Sequence, residues 1–270
     1  MSAVAGKGDG TIGKALSVLD QVAALGRPVR FSELVPHSPF PKATLYRFLQ
    51  SLVSQGMLAH DPERGVYTLG LRLVRLAHSA WSTASLAPVA RPHLDQLSAK
   101  VGETVHLAQL DHAQVLYVDK RNAGIPVEMY SQAGKVGPAY CTGVGKAMLA
   151  FLPPDMLDGV LSQQSYHPFT HSTLTGAAEL RAALARIKER GHAFDREEHE
   201  PGIICVAVPI LSREGRVLGA VSITGSTERT GLAALERFVP ALRAAATAIA
   251  EDAGNWQFPD AAPQIISKTG

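Results

Sequence analysis

The sequence predicts an α+β chain in two parts: a small helical segment closed by a β-hairpin, then a larger antiparallel sheet flanked by helices. Three observations predict it. Phe31 to Leu69 reads as helix, proline-bounded turn, second helix and short hairpin. Residues 104–224 read as successive hairpins interrupted by helices, which favours an antiparallel sheet. The charge divides in the same way: residues 1–80 hold nine Lys/Arg against five Asp/Glu, and residues 81–270 hold seventeen against nineteen.

The first helix is expected over about Ile12 to Leu25, with Ile12, Ala15, Leu16, Leu19, Val22 and Ala23 as its inner face. Phe31-Ser32-Glu33-Leu34-Val35 begins the next, with Ser32 as a candidate N-cap. Pro36, Pro39 and Pro41 forbid a continuous helix, and Pro41 suits the first turn of a new one. From Lys42, apolar Leu45, Phe48, Leu49, Leu52 and Val53 recur at three- and four-residue spacing, and Gly56 closes the helix. Met57–His60 and Val66–Leu69 flank the turn-forming Asp61-Pro62-Glu63-Arg64-Gly65. Together these make a winged helix-turn-helix, whose second helix enters a DNA major groove.

The opposite face of that helix has the chemistry DNA requires. Lys42 and Arg47 neutralise phosphates or reach guanine edges, and Gln50 can bond adenine. Thr44 and Tyr46 offer hydroxyls to phosphates, and Arg64 sits at the wing tip. A winged helix that contacts another protein instead of DNA is the competing use of the motif.

Leu71 to Ala80 is periodic in Leu71, Val74 and Leu76 and reads as a connecting helix. Its apolar positions serve either an internal core or a dimer seam, and two half-sites favour the seam. Ser85 to Lys100 reads as a helix broken or bent at Pro88 and Pro92. Thr104–Leu110 and Val115–Lys120 form a hairpin, Pro126–Ser131 a third strand, and Cys141–Leu152 and Gly176–Arg190 two helices. Ala193–Arg196, Ile203–Leu211 and Val217–Thr224 are further strands, with a closing helix over Ala233 to Glu251. The expected organisation is a disordered N-terminus at 1–10, a DNA-binding domain at 11–70, a linker helix at 71–83, a second domain at 84–253, and a flexible tail at 254–270.

Length and 46% hydrophobic content support two cores. No run of about 18 apolar residues predicts a membrane span, and the N-terminus lacks the pattern of a secretory signal. Two cysteines, Cys141 and Cys205, make no disulfide framework and fit a reduced cytoplasm. Catalysis finds little footing. Thr142-Gly143-Val144-Gly145-Lys146-Ala147 lacks the first glycine and the final Ser/Thr of a phosphate loop, and Met148 denies it a dinucleotide fingerprint. His167, His171, His192, Asp195, His199 and Cys205 leave a zinc-dependent sensor or enzyme-like module as the alternative, without tight ligand spacing. Cys205, between Ile204 and Val206, reads as an inert strand thiol. No cofactor is expected.

Four stretches resemble the IclR family of bacterial transcriptional regulators across roughly residues 10–252. They are Pro41-Lys42-Ala43-Thr44-Leu45-Tyr46-Arg47, Ala139 to Ala147 (AYCTGVGKA), Arg190 to Gly202 (RGHAFDREEHEPG) and Cys205 to Pro209 (CVAVP). The resemblance implies a GAF-like C-terminal domain that binds a small organic acid, a homodimer or tetramer on operator DNA, and most often a repressor. It also implies the effector residues. Gly143 and Val144 supply N–H donors at a helix start, while Asp195, Cys205 and Ser222 offer polar contacts, and Met129 and Leu107 an apolar wall.

Overall fold

The computed structural model describes residues 10–125 and 127–254, apart from the side chains of Ser82 and Thr83. Most of the expected N-terminal and C-terminal irregular segments lie outside the described residues. The chain forms two compact units that part between Thr83 and Ala84.

The first unit opens with α1 (Thr11–Ala24), β1 (Val29–Arg30), α2 (Phe31–Leu34) and a turn of 3-10 helix at Val35–His37. Then come α3 (Lys42–Ser54), β2 (Leu58–Asp61), β3 (Val66–Leu69) and α4 (Leu71–Ala84). Val18, Leu19, Val22, Leu34, Leu45, Phe48, Leu49, Leu52, Leu58 and Tyr67 make one core. In α1 the covered arc is narrower than the apolar stripe. Val18, Leu19 and Val22 are buried, whereas Ile12 is 78% and Leu16 46% exposed, and Ala23 is exposed too. Ser32 is not the cap of α2. Arg30 stands there, and its backbone N–H donates to the Glu33 carboxylate at 2.8 Å. Val29–Arg30 pairs with β3, so the wing is a three-stranded sheet of order β1-β3-β2.

Pro41 is the N-cap of α3, and α3 ends in a Schellman arrangement. Gly56 N–H reaches the Val53 carbonyl at 2.9 Å, and Met57 N–H reaches that of Leu52 at 2.9 Å. Gly56 has φ 69°, where a side chain would be strained.

In the second unit α5 (Ala87–Val101) runs unbroken. Pro88 falls in its first turn, where no donor is lost, and Pro92 is accommodated inside it. Six strands follow in the spatial order β6-β5-β4-β9-β8-β7, every neighbouring pair antiparallel. They are β4 (Thr104–Asp111), β5 (Gln114–Arg121), β6 (Val136–Pro138), β7 (Ala193–Arg196), β8 (Ile203–Leu211) and β9 (Val217–Ser226). The expected strand at Pro126–Ser131 is not one. Pro126 lies outside the described residues, 127–131 join no strand of the sheet, and the third strand is β6.

One sheet face packs α6 (Gly143–Leu149), α7 (Pro154–Ser162) and α8 (Ala177–Arg190) through Ala108, Val115, Tyr117, Ala207 and Ala220. The sequence reading missed α7, a short amphipathic helix begun by Pro154. The other face meets α5 and α10 (Val239–Asp252). The closing helix is two helices, α9 (Leu232–Glu236) and α10, with Pro240 in the first turn of the second, where its missing N–H costs no bond. Among the described residues no helix is long and apolar enough to cross a membrane.

Candidate functional site

Two sites follow from these elements, one in each unit. On α3, Lys42, Tyr46 and Gln50 are spaced by four residues and share one exposed line, with Arg47 beside it and Thr44 half-buried. No acidic side chain occurs on this helix. The Tyr46 ring meets Phe31 edge-on at 5.9 Å. Arg64 is exposed on a fixed turn. Asp61 Oδ1 accepts from the N–H of Glu63 at 3.0 Å and of Arg64 at 3.1 Å. A basic helix face and a wing tip that carries Arg64 thus project from one small core.

The second unit holds a partly open cavity of about 30 Å³ on the α6 side of the sheet. It is lined by Gly143 and Val144, by Asp195, Cys205 and Ser222 on three adjacent strands, and by side chains the sequence reading missed. Those are His106, Tyr117, Ser131, Thr142, His199, Glu200, Ile203 and Thr224. Strand register explains several of them. His106 faces Ser222 across β4–β9, Cys205 faces Thr224 across β8–β9, and Asp195 faces Cys205 across β7–β8. Leu107 is fully buried but alternates away from His106, so it points to the opposite sheet face and cannot form the cavity wall. Met129 is buried too, yet outside the lining.

The start of α6 explains the glycines there. Thr142 caps the helix, accepting the Gly145 N–H at 3.3 Å. The N–H groups of Gly143 and Val144 have no acceptor within the helix, by helix geometry. A Cβ at Gly143 would fall on the Cys205 sulfur, so only glycine lets α6 approach β8 this closely.

The polar groups are held individually. His106 is wedged between hydroxyls, Nδ1 at 3.2 Å from Thr224 Oγ1 and Nε2 at 2.9 Å from Ser131 Oγ. Burial pushes its pKa down to about 3, reinforced by Lys120, so the imidazole is neutral. Asp195 Oδ1 accepts the Glu198 N–H at 2.8 Å. Burial raises the Asp195 pKa to about 7, with Lys146 opposing and Glu198 adding to the rise. Burial also raises the thiols of Cys205 and Cys141, leaving both un-ionised and poor nucleophiles.

Glu200 receives the Tyr130 N–H at 3.0 Å on each oxygen. Burial pushes its pKa up, but His199 and that N–H outweigh burial and hold it below the usual range. Lys146, which looked like a phosphate-loop lysine, is instead buried in an ion pair with Glu198. Among the described residues, no three of His, Cys, Asp and Glu are grouped to hold a metal ion.

A basic winged helix joined to a sheet domain with a polar cavity defines a class: two-part DNA-binding regulators that sense a small molecule. The comparisons make the assignment specific. The IclR helix-turn-helix domain matches residues 11–62, and the C-terminal domain of bacterial IclR transcriptional regulators matches residues 78–251. The transcriptional regulator XynR of Escherichia coli K12 is 32% identical over 90% of this chain and 97% of its own. KdgR of the same organism is 32% identical over 92% and 95%. An IclR homologue of Microbacterium hydrocarbonoxydans, crystallised with 4-hydroxybenzoate, superposes with a TM-score of 0.76 at 26% identity, over 90% of this chain and 98% of that one. The chain belongs to the IclR family of bacterial transcriptional regulators. The relatives it matches are named as regulators rather than enzymes, and nothing among them supports the zinc-dependent alternative.

Proposed function

We propose that this chain represses transcription from an operator, and that a small organic acid bound in the cavity of residues 84–253 changes its operator affinity. The observation that carries the reading is the partly open polar cavity between α6 and strands β4, β7, β8 and β9, inside a chain that also bears a basic winged helix. Lys42, Thr44, Tyr46, Arg47, Gln50 and Arg64 contact the DNA. Gly143, Val144, Asp195, Cys205 and Ser222 contact the effector, joined by His106 and Thr224 from the same register. The related protein that holds 4-hydroxybenzoate supports an acid as the effector class. The exposed Leu71 and Val74 of α4 support a homodimer, the form that reads two half-sites. A bound acid acts only if it favours one arrangement of the two DNA-binding units over another.

The test is a titration of the full chain against the DNA upstream of its own gene, at two salt concentrations, with and without a panel of organic acids. Wild type should bind tightly and release, or tighten, with one acid. Lys42→Ala with Arg47→Ala should weaken binding and reduce the salt slope by about 2, one counterion per lost phosphate contact. Operator affinity indifferent to every acid would remove the effector from the reading, and a variant equal to wild type would remove α3 from the DNA.

A further inference from the structure

The lining of the cavity contains two carboxylates, Asp195 and Glu200, and, among the described residues, no lysine or arginine. The lysines next to the lining are only partly available: Lys146 is paired with Glu198, and Lys120, which keeps its charge, gives one of its three N–H donors to the Ser131 carbonyl at 3.0 Å. His106, buried between two hydroxyls, brings no charge. An anion entering here meets an excess of negative charge in a low-dielectric site.

The two carboxylates answer that problem differently. Glu200 is tied by both oxygens to the Tyr130 N–H and lies beside His199. Asp195 uses one oxygen for the Glu198 N–H and lines the cavity beside Cys205 and Gly143. Its neighbours on every side are Lys146 on α6, Cys141 just before α6, Glu198 and His199 after β7, Cys205 on β8 and Tyr117 on β5.

We propose that Asp195 makes the cavity selective for singly charged acids: the effector carboxylate and the Asp195 carboxyl share one proton taken up from solvent on binding, so that monocarboxylates enter and dicarboxylates are refused. This deepens the effector reading above and rests on it. A proton between two carboxyl groups turns like-charge repulsion into a strong charge-assisted hydrogen bond. A second carboxylate on the ligand would find no further proton and no lysine or arginine in the lining. That Asp195 titrates near 7 already means the proton is available at ordinary pH.

The experiment is calorimetry of the full chain with two matched pairs, gluconate against glucarate and 4-hydroxybenzoate against 4-hydroxyisophthalate. It is run from about pH 6 to about pH 8.5 in buffers of different ionisation enthalpy. The monocarboxylate that binds should lose close to tenfold in affinity per pH unit above about 7, where uptake approaches one proton. Its observed enthalpy there should depend on the buffer, and its dicarboxylate partner should bind at least tenfold more weakly.

Asp195→Asn, whose amide can donate to a carboxylate without titrating, should bind with flat pH dependence; His199→Gln should keep the wild-type slope. Melting curves certify that both variants fold, and the buffer dependence of wild type needs no variant. Flat affinity and buffer-independent enthalpy in wild type, loss of the slope in His199→Gln, or a dicarboxylate that binds better would each overturn the proposal. If none of the four acids binds, the effector reading itself falls and takes this inference with it.

Discussion

At the scale of single residues, Gly143 is where packing and recognition coincide. It permits the approach of α6 to β8, and the same approach brings its N–H to the cavity. Gly143→Ala would force its methyl onto the Cys205 sulfur and push the two elements apart. The expected cost is about 1–3 kcal/mol of stability, read by thermal melting, together with loss of the operator response to acid while DNA binding persists. A melting temperature equal to wild type would show that α6 has room that the geometry denies. The residue scale is also where sequence reading is least complete. The run Thr-Val-His-Leu-Ala-Gln in β4 is buried on both faces, so hydrophobic alternation does not tell which side is which. The family resemblance points to Leu107 for the cavity wall, but it is its neighbour His106 that lines the cavity. The legible signal was a histidine inside an apolar strand, since such a polar group must find partners when buried.

At the scale of elements, the β7–β8 connection is secured by α6. Lys146 and Glu198 are both nearly fully buried, and only Oε1 of Glu198 is engaged. The hydroxyls of Thr170 and Thr173 donate to the carbonyls of Glu197 and Glu198, each at 2.6 Å. Removing one partner leaves a buried charge alone, so Lys146→Met is expected to cost about 3–5 kcal/mol. Replacing both with apolar residues should recover most of that, as measured by denaturant unfolding; a double variant as unstable as the single would mean the pair itself stabilises the fold. Elements were legible where propensity and packing agree. The proline-bounded turn, α3, the wing and strands β4, β5, β7, β8 and β9 all follow from periodicity and turn residues. The break before Pro240 was readable in principle, since proline is favoured in a helix's first turn, though Pro92 inside α5 shows that the rule has exceptions. The uncovered side of α1 was not, because an apolar stripe does not say how much of itself the rest of the chain will cover.

For the whole molecule, that uncovered side has consequences. Ile12 and Leu16 on α1, with Leu71 (82% exposed) and Val74 (64% exposed) on α4, leave apolar area outside any core of their own unit. If a second copy covers α4, Leu71→Lys with Val74→Lys should shift the sedimentation of the protein toward monomer. It should also weaken binding to a two-half-site operator far more than to a single half-site. An unchanged oligomer would place the interface elsewhere.

The six-stranded sheet adds a constraint of another kind. It ends on one side in the three residues of β6, closed by Pro138, and on the other in the four of β7, closed by the exposed Arg196. Neither rim is long enough to template a further strand, and Pro138 has no donor to offer one. Association through the sheet rims is thereby discouraged, which steers any self-association of this chain toward finite, closed assemblies and away from runaway polymerisation.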